Sequence, residues 1–311
     1  MQTGAVSPRL SGLLERVARG EELSPGERDE LACDAEANPA LQALNSAGWP
    51  VTAAVEERMG LLRRAARFSP VCPLEVAGYS IEARTSIGEL WRVYVPLCSA
   101  LLDRCARQQG SRFLVGIAGP PGSGKSVFAA LLTTLLNCIG EHPSEVAVTV
   151  PLDGFHFPNA YLDTHYVVGA DGERRSLRKI KGAPGTFDLA GFLRALERLH
   201  SDERVTLPRY DRRLHEPVEN GIAVEPHHRL VLVEGNYLLV QAGGWQAVQA
   251  LLNLRLFLKM ALSAVRPGMV ERHVRGGRTR EDAERHFDRV DLPNYGISMQ
   301  SAAMADLVIE R

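Results

Sequence analysis

The chain has 311 residues, with 36 Lys and Arg against 37 Asp and Glu and a formal net charge of −1. That length accommodates one large α/β domain with an appendage, or two domains. The balanced charge argues against a general nucleic-acid or anionic-membrane surface, and no apolar run approaches the roughly 18 residues of a spanning helix.

In chain order, residues 1 to about 70 read as helical throughout. Leu10, Leu13, Leu14 and Val17 have helical apolar spacing. Ser24-Pro25-Gly26-Glu27 is a helix start, with a capping Ser, a first-turn Pro and a Glu three residues on. Asn38-Pro39 opens a third helix, and residues 51–68 form a fourth with Val55, Met59, Leu62 and Ala66 near one face. No motif here carries chemistry, so residues 1–85 are expected to be a helical cap on the main domain, ahead of a docking or regulatory module. Ser69-Pro70-Val71-Cys72-Pro73 reads as a linker by its prolines. Ser86-Ile87-Gly88-Glu89 is a second capping box, opening a helix through Leu102 that ends at Gln108-Gln109-Gly110-Ser111.

Beyond it, strand and helix patterns alternate, which predicts a mainly parallel sheet with helices on both faces. The strands are Phe113 to Ala118, Val146 to Val150, Arg229 to Val233, Leu254 to Leu258 and the short Leu307-Val308-Ile309. The helices are 127–136, 189–200, 261–275 and 280–290. Five scattered cysteines (Cys33, Cys72, Cys98, Cys105, Cys138), without a C-x-x-C pair, suggest reduced thiols in a cytoplasmic protein. The N-terminus lacks a basic-then-apolar leader pattern.

Between the first of these strands and its helix lies Gly119-Pro120-Pro121-Gly122-Ser123-Gly124-Lys125-Ser126, which fits G-x-x-x-x-G-K-[ST] at every fixed position. Gly119, Gly122, Ser123 and Gly124 would let backbone N–H groups converge on phosphate oxygens, with Val127 in the first turn of the helix behind them. Lys125 would reach the β- and γ-phosphates of ATP, and the Ser126 hydroxyl would ligate Mg²⁺. Asp153, in Asp153-Gly154-Phe155-His156 after the next strand, can accept the proton of an attacking hydroxyl. Glu234 ends an apolar strand, where a carboxylate would help to hold Mg²⁺ or its waters. Arg272, Arg275, Arg278 and Arg280 crowd one helix end and a Gly276-Gly277 turn; a lid closing on phosphates would offset their repulsion.

Asp-Gly-Phe-His after a P-loop resembles the kinases of uridine, phosphoribulose and bacterial pantothenate. Lys181-Gly182-Ala183-Pro184-Gly185-Thr186-Phe187-Asp188, Leu207-Pro208-Arg209-Tyr210-Asp211-Arg212, Val233-Glu234-Gly235-Asn236, Arg272-His273-Val274 and Asp291-Leu292-Pro293-Asn294 resemble further segments of that superfamily. The nearest likeness is to its nucleoside-kinase-like, fructose-transport-associated bacterial branch, over residues 86–311. The resemblance implies a P-loop kinase domain, ATP and Mg²⁺, Asp153 as general base, and a small-molecule hydroxyl acceptor, sugar-like or polyol before ribonucleoside or pantothenate. By family position, His156, Lys181, Tyr210, Arg212, His215 and Asn294 would contact the acceptor. Neither nucleic acid nor membrane is an expected partner, and a homodimer is left open. Residues 163–176, with Gly169 and Gly172, form a longer loop than in the sugar-kinase-like relatives. A reading of another class is a P-loop regulatory switch with the N-terminal helices as its partner-binding part. The absence of an Asn-Lys-x-Asp guanine-reading motif disfavours a GTPase version of it.

Overall fold

The structure is a computed structural model that describes residues 6–49, 54–76, 78–107, 112–140, 145–169, 172–201 and 203–311. The helix start expected at 51 and the helix end expected at 108–111 lie outside them. Helices α1 (Pro8–Ala18), α2 (Pro25–Glu36) and α3 (Pro39–Ser46) each begin with Pro behind a capping side chain from Ser7, Ser24 or Asn38. Helix α4 (Val55–Ala65) follows. The stretch expected as a linker is instead the start of a hairpin, β1 (Val71–Val76) against β2 (Tyr79–Arg84). The reason is period-2 burial. Cys72 and Leu74 point inward while Val71 and Pro73 point out, and an edge position tolerates the proline. Next come α5 (Ile87–Glu89), a π-helical turn (Leu90–Tyr94) and α6 (Val95–Arg107).

The α/β part runs β3 (Phe113–Ala118), α7 (Lys125–Cys138), β4 (Ala147–Pro151), a 3₁₀ turn (Leu152–Phe155), α8 (Asn159–Thr164), β5 (Tyr166–Val168), β6 (Arg174–Ser176) and α9 (Leu189–Leu199). It continues with β7 (Val205–Asp211), β8 (Glu216–Val224), β9 (Leu230–Gly235), α10 (Gln246–Gln249), β10 (Leu254–Lys259) and α11 (Leu262–Arg275). The chain ends with α12 (Arg280–His286), a π turn (Phe287–Asp291), α13 (Leu292–Gln300) and β11 (Leu307–Glu310). Strands β11, β10, β3, β9 and β4 form one sheet in that order, every neighbour pair parallel. The glycine-bearing stretch 163–176 holds the β5–β6 hairpin, and β7–β8 is a second antiparallel pair apart from the sheet.

Both faces of the sheet are covered, which is why its strands read as unbroken apolar runs. In β3, Phe113, Val115 and Ile117 face one cluster and Leu114 and Ala118 the other. The first cluster reaches without interruption from Leu10 in α1 through Trp91 and Phe128 to Ile309 in β11, so the N-terminal helices and the sheet share a core. Inside this core Arg58 is fully buried. Its guanidinium donates to the Ala35 and Trp91 carbonyls at 3.2 and 3.0 Å and lies 4.5 Å over the Trp91 ring. Asp34 offsets the charge in part and accepts from Trp91 Nε1 at 2.8 Å.

Removing this cation leaves two buried carbonyls without their donor. Arg58→Ala is expected to cost about 3–5 kcal/mol, read as a lower urea midpoint with unchanged slope. A wild-type midpoint would show that the cation does not tie α4 to α2 and the π turn.

Candidate active site

The glycine loop leaves the carboxyl end of β3, where open parallel sheets bind ligands. Gly124 has φ 83° and caps α7, a left-handed conformation that a side chain disfavours. A Cβ at Gly119 would lie 2.5 Å from the Leu258 carbonyl oxygen, so the loop crosses hard against β10. Lys125 Nζ donates to the Pro120 carbonyl at 2.9 Å across the loop. Ser123 Oγ is buried with no hydrogen-bond partner. Three glycines with positive φ, a helix N-terminus and an orphaned buried hydroxyl together fit the oxygens of a triphosphate.

Strand β9 is the centre-line neighbour of β3 and delivers Glu234 beside the loop. Ser126 Oγ donates to Glu234 Oε1 at 2.8 Å, a pair of oxygen donors suited to Mg²⁺. Burial raises the Glu234 carboxyl above its ordinary 4.5, and repulsion from Asp153 adds to the rise. Burial also pulls Lys125 down to about 8, against the attraction of Glu234 and Asp153. Each group shifts against the pairing that would hold it charged, so burial outweighs that attraction.

Strand β4 ends in the 3₁₀ turn that carries Asp153. A Cβ on the next residue, Gly154, would sit 2.3 Å from the Pro208 carbonyl oxygen. Only a glycine lets this turn rest on β7, which brings Arg212, just past its end, to Asp153 at 3.6 Å. The Asp153 charge is felt by Lys125, His156, Lys181, Tyr210, Glu234 and Arg272, and so sits at the electrostatic centre of the cleft. Arg272, exposed on α11, is repelled by Arg212 and attracted by Asp291 and Asp153. Two arginines that repel one another across a carboxylate leave room for an anion. Arg275 and Arg280 instead both pair with Glu271 on the outer surface, at 3.4 and 3.5 Å; Arg278 is exposed beside them.

On the other flank of Asp153, the His156 ring is buried, 3.9 Å from Phe187 and 5.2 Å from Tyr210 between centroids. Its Nδ1 donates to the Asp153 carbonyl at 2.9 Å, and burial lowers its pKa, so the ring is neutral and Nε2 carries the free lone pair. Burial raises the Tyr210 phenol to about 12. Lys181 Nζ lies 5.0 Å over the Tyr210 ring and donates to Asn159 Oδ1 and the His215 carbonyl, both at 2.7 Å. Burial, with help from Arg178, pulls it down to about 8. His215 thus contributes its backbone oxygen; its φ of 54° turns that carbonyl inward and its imidazole is exposed. Asn294 is buried on α13.

Three residues of this flank escaped the sequence reading. Asn159 holds Lys181, the Glu216 carboxylate accepts from the Asn159 backbone N–H at 2.9 and 3.0 Å, and the Tyr237 hydroxyl donates to the Gly182 carbonyl at 2.5 Å. Asn159 carried the one local signal, a helix start after Pro158. Glu216 and Tyr237 act on partners more than 50 positions away and leave no local trace.

The family described as "Phosphoribulokinase / Uridine kinase family" matches residues 114–307. The chain is 33% identical over 239 residues to the uncharacterised Escherichia coli protein YggC, covering 76% of this chain and 94% of that one. It is 32% identical over 223 residues to a Schizosaccharomyces pombe protein provisionally named a uridine kinase, covering 70% and 90%. A crystal structure from Silicibacter sp. TM1040, described provisionally as a fructose transport system kinase, superposes with a TM-score of 0.59 at 34% identity, covering 68% of this chain and 96% of that one.

The raised Glu234 sets a pH prediction. Between 4.5 and its higher folded value the native state holds the extra proton, so stability falls as pH rises through that window. The cost persists at neutral pH. Glu234→Gln is therefore expected to raise the Tm of the metal- and nucleotide-free protein at pH 7, by about 2–4 °C for each kcal/mol relieved. The same variant should lose most of the additional stabilisation conferred by Mg²⁺–ATP. Differential scanning fluorimetry reads both; an unchanged or lower Tm in the free protein would contradict the buried-charge account.

Proposed function

The chain belongs to the phosphoribulokinase/uridine kinase family and is an ATP-dependent phosphotransferase, and we propose that it phosphorylates a hydroxyl of a sugar-like or polyol acceptor, with Asp153 as general base. The observation that carries this reading is the reach of the Asp153 carboxylate, which lies 3.6 Å from Arg212 and whose charge acts both on Lys125 and Glu234 at the glycine loop and on His156, Lys181 and Tyr210.

In this scheme Gly119, Gly122, Ser123, Gly124, Ser126 and Val127 cradle the phosphates, and Lys125 spans the β- and γ-oxygens once its bond to the Pro120 carbonyl opens. Ser126 and Glu234 hold Mg²⁺, which would neutralise charge on the phosphates and align them. Asp153 takes the acceptor proton as the acceptor oxygen bonds to the γ-phosphorus and the bridging P–O bond to ADP breaks. Arg212 and Arg272, which act on one another and on Asp153, would offset the charge that moves, while Arg275, paired with Glu271, can join only by leaving that partner. His156, Lys181, Tyr210, Arg212, the His215 carbonyl and Asn294 form the acceptor wall. Its donors and acceptors suit a hydroxylated molecule better than an apolar one. We assign this chemistry to residues 86–311, with the N-terminal helices packed on α6 and α7 in a core shared with the sheet.

A ribonucleoside acceptor has comparable support from the uridine-kinase name of the S. pombe relative and from the aromatic faces of Phe187 and Tyr210 beside His156. Pantothenate has comparable support, from the segment Lys181 to Asp188 and from a Leifsonia xyli relative named a pantothenate kinase, 34% identical over 139 residues. ADP release with Mg²⁺–ATP and a panel of sugars, polyols, nucleosides and pantothenate separates the three. Release no faster than with water for every acceptor would favour the regulatory-switch reading. For the base, Asp153→Asn is expected to lower kcat about 10²–10⁴-fold with ATP affinity kept; unchanged turnover would remove Asp153 from that role.

A further inference from the structure

Away from the cleft floor, α11, α12 and the π turn bring three metal-binding side chains together. His273 Nε2 and Asp291 Oδ2 are 2.7 Å apart, with their side chains only 17% and 11% exposed. The His286 ring packs edge-on against His273 at 4.7 Å between centroids and 76° between planes. One donor atom from each of the three lies within 4.8 Å of the other two. The His273–Asp291 pair is a hydrogen bond, but the His286 imidazole makes none among the described residues. The half-buried His286 ring is turned towards the histidine–carboxylate pair, and its nitrogens, unengaged by protein among the described residues, are available to a ligand.

We propose that His273, His286 and Asp291 form a transition-metal site, suited to Zn²⁺, that clamps α11 to the connection between α12 and α13. Two imidazoles and one carboxylate favour Zn²⁺ over Mg²⁺ or Ca²⁺, which prefer all-oxygen sites. Metal–ligand bonds of about 2.0–2.2 Å put tetrahedral ligand atoms about 3.3–3.6 Å apart. The three donors reach that spacing if the His273–Asp291 contact opens and His286 swings in, movements within side-chain rotation. The opposing influence is positive charge. Arg272 and Arg278 both act on His286; Arg278 is exposed and can turn to solvent, and an anion in the cleft would offset Arg272. Three protein ligands leave a fourth position for water.

The site has a consequence for the neighbouring lid. His273 follows Arg272 on α11, and Asp291 attracts Arg272. A metal on Asp291 would draw that carboxylate away and leave Arg272 to an anion in the cleft. The other cluster of this kind, Glu145, His227 and His228, is mostly exposed, and its His228 Nδ1 already accepts from the Glu225 backbone N–H at 2.9 Å. It serves as the control.

The test uses the full chain, stripped with EDTA and free of nucleotide. Titration with Zn²⁺ in a calorimeter is expected to show one saturable equivalent, and Co²⁺ to give the visible absorption of a four-coordinate site. His286→Ala and Asp291→Asn should each weaken Zn²⁺ at least tenfold and abolish the Co²⁺ band; His228→Ala and Glu234→Gln should leave both unchanged. Circular dichroism checks that the variants fold. Should Asp291→Asn fail to fold, His286→Ala, which breaks no hydrogen bond, decides alone. Absence of saturable Zn²⁺ binding, or wild-type affinity in His286→Ala, overturns the proposal.

Discussion

Two opposite charges, Lys125 and Glu234, are buried side by side at the carboxyl end of the sheet, and neither is satisfied by the other. The lysine is pulled down and the carboxyl pushed up because removal from water costs more than their attraction returns. Such an arrangement is stable only because the surrounding fold fixes it. Parallel pairing of β3 with β9 sets the register that places Glu234 beside the loop, and helix α7 begins at the lysine itself. Apolar layers on both faces of the sheet hold that register. The N-terminal helices belong to this argument although they carry no chemistry. They pack on α6 and α7 and extend the core that backs the face of β3 formed by Phe113, Val115 and Ile117.

A site built on unsatisfied charge is prepared for a ligand that brings the missing partners. A triphosphate would supply acceptors for Lys125 and for the orphaned Ser123 hydroxyl, and a divalent cation would offset the repulsion between Glu234 and Asp153. The same logic covers Arg212 and Arg272, whose mutual repulsion an anion would relieve. Stability withheld in the free protein thus becomes binding energy in the loaded one.

Legibility in the sequence follows how local each constraint is. The glycine loop, Asp153 and Glu234 were legible because each is tied to an element boundary that a short window reveals: apolar strand, then turn, then helix. The sheet strands were legible for the same reason, their burial on both faces giving continuous apolar runs. The β1–β2 hairpin was not, because Pro70 and Pro73 masked a period-2 pattern carried by only Cys72 and Leu74. The π turn at Phe287–Asp291 was not, because it lengthens a helix without breaking its composition. Among the arginines at the end of α11, the pairing of Arg275 with Glu271 was within reach of a local window, being a helical i,i+4 pair, whereas the approach of Arg272 to Arg212 and Asp153 spans distant segments.

The flank of the cleft around Lys181 resists sequence reading for a deeper reason: its polar groups are held in part by backbone carbonyls, whose direction no residue type records. Lys181 is fixed by the carbonyl of His215, a residue whose left-handed φ of 54° turns that oxygen inward whatever its side chain does. Tyr237 holds the same segment through the Gly182 carbonyl. Glu216 anchors α8, and with it Asn159, through a backbone N–H. A motif records residue types, and here the types report only indirectly on where the carbonyls point. Where the Lys181 ammonium sits is thus a property of loop geometry, set by the His215 carbonyl that accepts from it.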